Sequence, residues 1–515
     1  MSIYGINQMQ VMHPYDVSGI SIDSAYDING DSVFEKEPIL GQEYLGGYIE
    51  IQPDSWDGVT PVTNEIVSNS DETAWGFPYS LSANSKQIIH DDILNGNHGI
   101  LYIRFPLGFA YRGARNIDAA TGLAKNFGER WPGQNSSLSD WFADIAKSGG
   151  GLAPEYWCLP PYWITTGDIG KRWNLVWAGG SYDRSVTLQS IKNSDPVQYN
   201  SQIDALTDAI VNDYEYLSQN VAPVVMYGLS NEPVENSGVC GTCKWDDETY
   251  SDVLSVLCAK MKVNFPNAKL HCSSDYMANP WTIGQTFIRS HQNDIWGYSY
   301  HKMTYISGEQ DLEGKNGAYA FYKSSYFKNT IKTNKTNVFN NEYEYFAVNV
   351  VPDNLRCANN MVHLINELVY GGAEVLHPII HICKPIGQSH SATNTPGYCL
   401  FSCDMDNGGI EANTWAYNSW KMFNDNLPFG ARVIQNYSVD VEDVGFVALI
   451  KEGKIFVFLA NRSGEPKMIK ANFFQEKTFQ YKLYNLENNG TLIAQSSIIK
   501  DITVPAYSGI CCIEN

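Results

Sequence analysis

The period of the hydrophobic pattern changes along the chain, and that change sets the expected architecture. From about residue 85, short apolar runs alternate with amphipathic stretches. Residues 99–108 (GILYIRFPLG) and 151–165 (GLAPEYWCLPPYWIT) read as buried strands, the second stopped by Pro160 and Pro161. A helix is expected over 137–151. Over 201–220, Ile203, Leu206, Ile210 and Leu217 recur at helical spacing on one face, and that helix runs directly into the apolar residues Val224, Val225 and Met226. The rhythm continues as a helix over 246–265 and strands over 268–275, 295–301 and 337–346. A helix over 354–372 and a strand over 373–382 complete it. Repeated strand–helix alternation at this length predicts an α/β fold, a parallel (β/α)8 TIM barrel. Counting backwards puts the strand ending at Glu232 fourth and the strand ending at Glu342 seventh. The first strand is expected within 44–52 or near 75–80.

Past about residue 431 the period falls to two. FVALIKEGKIFVFLANRS alternates around a Glu-Gly turn, FQYKLYNLENNGTLIA around Asn-Gly, and DITVPAYSGICCIEN closes the chain as a strand. These predict an additional all-β sandwich domain at the C-terminus. The polar, turn-rich first residues are expected to complete it, which divides the chain into 1–40 (N-terminal strands joining the sandwich), 41–430 (catalytic barrel) and 431–515 (sandwich).

Composition narrows the function classes. The 515 residues are 43% apolar, enough for one large barrel and a smaller domain. A formal net charge of −21 argues against nucleic acid and anionic membranes, which attract basic surfaces. Charged residues make up only 18%, against 32 Tyr and 13 Trp, a balance that suits neutral hydroxylated ligands. No apolar run is long enough for a transmembrane helix. The first residues show no basic region followed by an apolar core, so the expectation is a secreted or extracellular protein with its signal removed, a cytoplasmic location staying open. Eleven scattered cysteines form neither a dense disulfide framework nor a paired zinc pattern.

The chemistry concentrates at two strand ends. VMYGLSNEPVE carries Asn231, Glu232 and Pro233 directly after an apolar run; NVFNNEYEYF carries Asn340, Asn341 and Glu342 after Val338 and Phe339. An acid at the carboxyl end of a buried strand is costly to desolvate and is rarely structural. Two such acids on facing strands suit hydrolysis of a glycosidic bond, one as general acid and one as nucleophile, with carboxyls about 5–5.5 Å apart in a retaining enzyme. Glu232 is expected as acid/base and Glu342 as nucleophile; Glu344, on the same face of the strand, is the alternative nucleophile. Asn231 is placed to bond a sugar 2-hydroxyl. Two carboxylates and water need no cofactor and no metal.

This pair of motifs resembles the large clan of retaining glycoside hydrolases whose acid/base and nucleophile stand on barrel strands four and seven. YIRFPLG followed by WCLPPYWITTG is similar to glycoside hydrolase family 30, with the agarase and porphyranase families as an alternative. The resemblance implies that Arg104 holds the nucleophile ionised and that His301 faces the substrate. It also implies a tyrosine bonding the nucleophile. The usual position holds Met303, so Tyr300 or Tyr298 would serve. Where the clan carries a tryptophan on strand eight, this sequence offers His377 and His381. Tyr156, Trp157, Tyr162 and Trp163 stand where a sugar platform would be, a position equally suited to core packing.

Smaller motifs are weaker. Cys240 and Cys243 lack the second pair a zinc site needs, and a local disulfide or free thiols are expected. Asp404–Gly408 lacks the distant glutamate of a calcium loop. The segment between Arg104 and Glu155, with Tyr111, Arg112, Arg115 and Trp131, is expected to wall a cleft and give endo action on a polysaccharide. A pocket with exo action, an inverting hydrolase and an inactive carbohydrate-binding protein on the same barrel are the rival readings.

Overall fold

The computed structural model describes residues 19–21, 40–50, 82–94, 101–107, 146–147, 149–156, 159, 163, 185–233, 244–276, 283–306, 337–347, 352–370, 381–385, 399–403, 409–412, 414–434, 439–441, 443–470, 477–498 and 501–515. Two short strands come first, β1 (Gly19–Ser21) and β2 (Leu40–Glu43). A parallel series follows: β3 (Gly47–Glu50), β4 (Leu101–Leu107), β5 (Gly151–Tyr156), β6 (Met226–Tyr227), β7 (Lys269–Tyr276), β8 (Ile295–Ile306) and β9 (Asn337–Ala347). Strands β3-β4-β5 form one parallel sheet and β6-β7-β8-β9 another. Parallel bridges Leu152–Val224 and Tyr156–Ser230 join them, so seven strands run side by side in chain order. The first of them, β3, falls inside the 44–52 window. Strand β10 (His381–Pro385) approaches β3 and pairs with β11 (Cys399–Cys403), which in turn pairs with β12 (Ile410–Ala412).

The helices lie on the series because their apolar faces have nowhere else to go. Helix α1 (Pro196–Asn220) begins five residues before the expected 201, because Asp195 caps it, accepting from the Gln198 N–H at 3.0 Å, and Pro196 occupies its first turn. It buries Ile203, Leu206, Ile210, Tyr214 and Leu217. Helix α2 (Asp247–Asn264) adds Val253, Leu254, Leu257 and Met261 to the same core.

Helices α3 (Asp353–Tyr370) and α4 (Thr414–Asn424) connect the series to the C-terminal sheet. The strands there are β13 (Arg432–Ile434), β14 (Val439–Val441), β15 (Val444–Lys451), β16 (Lys454–Asn461), β17 (Lys467–Lys470), β18 (Thr478–Tyr484), β19 (Asn489–Ile498), β20 (Asp501–Val504) and β21 (Ser508–Glu514). The large sheet runs β19-β18-β21-β16-β15-β13-β2, with β14 on β15; a second sheet runs β1-β17-β20. β15 and β16 are buried on both faces, and their alternation explains how. Val447, Leu449, Phe456 and Phe458 pack on α3 and α4, while Phe446, Ala448, Val457 and Leu459 meet Ile469 and Ile502 of the second sheet. Strands from before residue 44 thus pair with strands from after 431. β2 straddles the expected division at residue 41.

One turn differs from expectation. Glu452 and Gly453, both at positive φ, do reverse the chain between β15 and β16. The Asn489-Gly490 pair does not make the next hairpin. Asn485 does, its side-chain oxygen accepting from the N–H groups of Glu487 and Asn488 at 3.0 and 2.8 Å. Gly490, at φ +81°, instead lies where the β18–β19 register slips, a bulge position that glycine permits.

Candidate active site

Side chains alternate along a strand, so every second residue shares a face. On one face of the parallel series Tyr48, Tyr102, Ala153, Met226 and Phe339 gather into an apolar layer. Two residues further along β4, β5 and β9, the same face carries Arg104, Glu155 and Asn341, each fully buried. A charged layer therefore lies on an apolar floor, towards the carboxyl ends of the strands.

The layer is tied together by one ion pair. Arg104 donates from Nε and Nη2 to Glu155 Oε2 at 3.1 and 2.8 Å. The same Nη2 donates to Asn231 Oδ1, and Asn341 Nδ2 makes a long 3.5 Å bond to Glu155 Oε2. A guanidinium only donates and a carboxylate only accepts, which fixes both amides: Asn231 turns its oxygen, and Asn341 its nitrogen, towards the pair. Asn231 Nδ2 and Glu155 Oε1 are buried and have no partner among the described residues. The backbone of Asn231 is pinned as well, its N–H donating to the Tyr156 carbonyl at 2.8 Å.

Each asparagine immediately precedes a candidate catalytic acid. Glu232 is 3% exposed and sits at φ +40°, a left-handed conformation unusual for a residue with a side chain and one that concentrates at functional sites. On β9, a register slip at Tyr300/His301 sets Asn340 against Tyr300 and Glu342 against His301, leaving Asn341 as the extra residue. Bulges of this kind re-aim the side chains beside them.

The flanking packing is close. His271 on β7 shares a 2.8 Å hydrogen bond with Ser299 of β8 and lies edge-on to Phe339. Gly228 leaves the room: a β-carbon there would stand 2.5 Å from His271 Cε1. Behind β5, the Tyr214 hydroxyl donates to the carbonyls of Pro154 and Gly228 at 3.3 and 3.2 Å. Burial, with added repulsion from Glu155 and Asp213, holds its pKa well above the ordinary value. The Tyr156 hydroxyl donates to Asp213. At the amino ends of the strands, Lys269 donates to the Tyr102 hydroxyl and lies 4.9 Å over the Trp296 ring, its pKa lowered by burial. That end reads as stabilising, because barrel chemistry belongs to the carboxyl ends.

The structure joins Arg104 to Asn231, and Glu232 follows directly in the chain. It places the backbones of Tyr300, His301 and Glu342 on adjacent strands, and that of His381 at the start of β10; the side chains of these four lie outside the described residues, as does that of Glu344. The described partners of Arg104 are Glu155 and Asn231. Trp163 is 2% exposed within the core between strands and helices, and Tyr156 is buried there too, which leaves little of either ring for a sugar. Tyr298 also belongs to that core: it alternates with Gly297 and Ser299 and so faces the helices, which removes it as the tyrosine beside the nucleophile. Trp157, Tyr162, Cys240, Cys243, His377, Asp404–Gly408 and residues 108–145 lie outside the described residues. Among those described, no group of three or more His, Cys, Asp or Glu could hold a metal, and no helix is long and apolar enough to cross a membrane.

Sequence reasoning passed over Glu155 and Asn341. The signal for Glu155 was present: one acid inside GLAPEY, two residues after Ala153, in a strand buried along its whole length. A lone buried acid needs a buried cation, and Arg104 on the neighbouring strand is that cation.

No family model and no curated protein matches the chain by sequence. Solved structures are similar to it in fold. The catalytic domain of GH30 xylanase C from Talaromyces cellulolyticus is similar over 93% of this chain and 99% of its own, at TM-score 0.58 and 12% identity. The endo-beta1,6-glucanase BT3312 is similar over 97% and 95%, at 0.59 and 11%. A conserved exported protein from Bacteroides fragilis is similar over 92% and 98%, at 0.60 and 12%. The chain thus has a fold like that of the family 30 glycoside hydrolases, which are TIM-barrel enzymes.

Proposed function

We propose that the protein is a retaining glycoside hydrolase that cuts β-linked polysaccharide within the chain, on a closed barrel supported by a C-terminal β-sandwich. Glu232 is the acid/base and Glu342 the nucleophile. One observation carries the reading: Asn231, in the segment after β6, and Asn341, on β9, each adjacent to one of these acids, converge onto a single buried Arg104–Glu155 pair. Holding two acids in fixed relation is what double displacement demands.

In the first step the Glu342 carboxylate attacks the anomeric carbon while Glu232 gives its proton to the leaving glycosidic oxygen. A glycosyl ester forms and the aglycone departs as an alcohol. Glu232, now a carboxylate, takes a proton from water, whose oxygen attacks the anomeric carbon and releases Glu342; the anomeric configuration is retained. Asn231 Nδ2, which has no partner among the described residues, is assigned the sugar 2-hydroxyl. Arg104 contributes positive charge that favours ionised Glu342; substrate contacts are assigned to His301, Tyr300 and His381 from their places in the sequence. The similarity to a conserved exported protein supports action outside the cell. The test is hydrolysis of a panel of β-glucans, xylans, galactans and red-algal galactans, with the product anomer followed by NMR. Retention on any one supports the reading; inertness on all, or inversion, overturns it.

A further inference from the structure

Glu155 has no place in the two-acid scheme, yet it is a fully buried carboxyl at the centre of the site. We infer that Glu155 is a positioning residue that locks both catalytic arms to Arg104 and offsets part of its charge. The inference rests on the proposed glycosidase reading and deepens it.

The geometry is specific. A single oxygen, Oε2, receives Nε and Nη2 of Arg104 and the amide of Asn341, while Arg104 Nη2 reaches on to Asn231. Strands β4, β5 and β9 and the segment after β6 thus meet at one ion pair. An ion pair inserted only for stability would have no reason to recruit the residue before each acid. The charge has a second consequence. Without Glu155, the whole Arg104 charge would act on Glu232 and Glu342 and lower both of their pKa values. With it, the field is partly cancelled, so Glu232 can keep a proton at the pH where Glu342 has lost its own. The other described groups around the pair are His271 and Ser299 on β7 and β8, facing the same interior, and Tyr214 and Asp213 on α1 behind β5.

Glu155 Oε1 and Asn231 Nδ2 are buried and have no partner among the described residues.

The experiment is the pH profile of kcat/KM for Glu155→Gln and Glu155→Asp on whichever aryl β-glycoside or polysaccharide the wild type hydrolyses, with circular dichroism to confirm folding. Gln keeps the shape and removes the charge. A unit charge lost within about 8–10 Å moves a carboxyl by about one pH unit, so both limbs of the Gln profile should shift about one unit to lower pH. Asp keeps the charge but draws it back; its limbs should stay in place while kcat falls about 10- to 100-fold from mispositioning. Limbs that stay in place in a folded Gln variant would overturn the inference and leave the glycosidase reading standing. Should Gln fail to fold, an Asp variant with wild-type kcat would overturn it instead. A wild type inert on every substrate would overturn the glycosidase reading, and the role of Glu155 with it.

Discussion

Replacing Arg104 by Met removes the cation but keeps most of the volume, and leaves Glu155 buried without its partner. The structure sets the size of the effect. Two hydrogen bonds of 3.1 and 2.8 Å join groups that are both fully buried, so neither has water to fall back on. Breaking such a pair from one side costs about 3–5 kcal/mol, because a charge stays behind in a low-dielectric interior. Set against a typical total of about 5–15 kcal/mol, that is a large share. Glu155→Leu should cost a similar amount for the mirror reason. The double variant Arg104→Met/Glu155→Leu should lose far less than the two single losses added together, since no charge is stranded, and the cycle should give a coupling of about 2 kcal/mol or more. Urea unfolding of the four proteins, followed by fluorescence, measures this. Single losses below about 1 kcal/mol, or losses that simply add, would refute a buried, mutually dependent pair.

Gly228→Ala should destabilise by about 1–3 kcal/mol and lower activity, since its methyl would meet the His271 ring at 2.5 Å; an Ala variant with wild-type unfolding would contradict that packing. Burial pushes the Cys357 thiol up to about 12 and those of Cys258, Cys272, Cys511 and Cys512 up as well, so at pH 8 all five should resist a thiol reagent until denaturant is added; peptide mapping reads this directly, and rapid native labelling of any of them would count against the core. Glu232→Ala should spare substrates with good leaving groups and regain rate with azide; equal slowing on activated and natural substrates would remove its acid role. On polymer, endo action predicts early medium-sized oligomers and falling viscosity, whereas a single small product from the start with viscosity held would exclude it.

Period carried most of what was legible in the sequence. Alternating runs placed β4, β5, β7, β8 and β9 and helices α1, α2 and α3, because a buried strand or an amphipathic helix must show its apolar positions regularly. The strand-end acids were legible because charge directly after an apolar run is rare. Local chemistry was harder to read. Asn485 outcompeted Asn489-Gly490 for the hairpin through side-chain bonds that no dipeptide rule anticipates. Tyr298 looked like a partner for the nucleophile and Trp163 like a sugar platform, yet both are packed into the core between strands and helices. Glu155 escaped notice because its meaning depends on Arg104, 51 residues away, and on Asn231 and Asn341, none of them local to it.

The most direct test is the covalent intermediate itself. Incubation with an activated 2-deoxy-2-fluoro glycoside of the sugar that the wild type hydrolyses should trap one glycosyl group per chain. Peptide mass spectrometry should find it on Glu342, with Glu342→Gln neither labelled nor active. A label on Glu344, or full turnover of the fluoro-sugar's parent substrate by Glu342→Gln, would contradict the account.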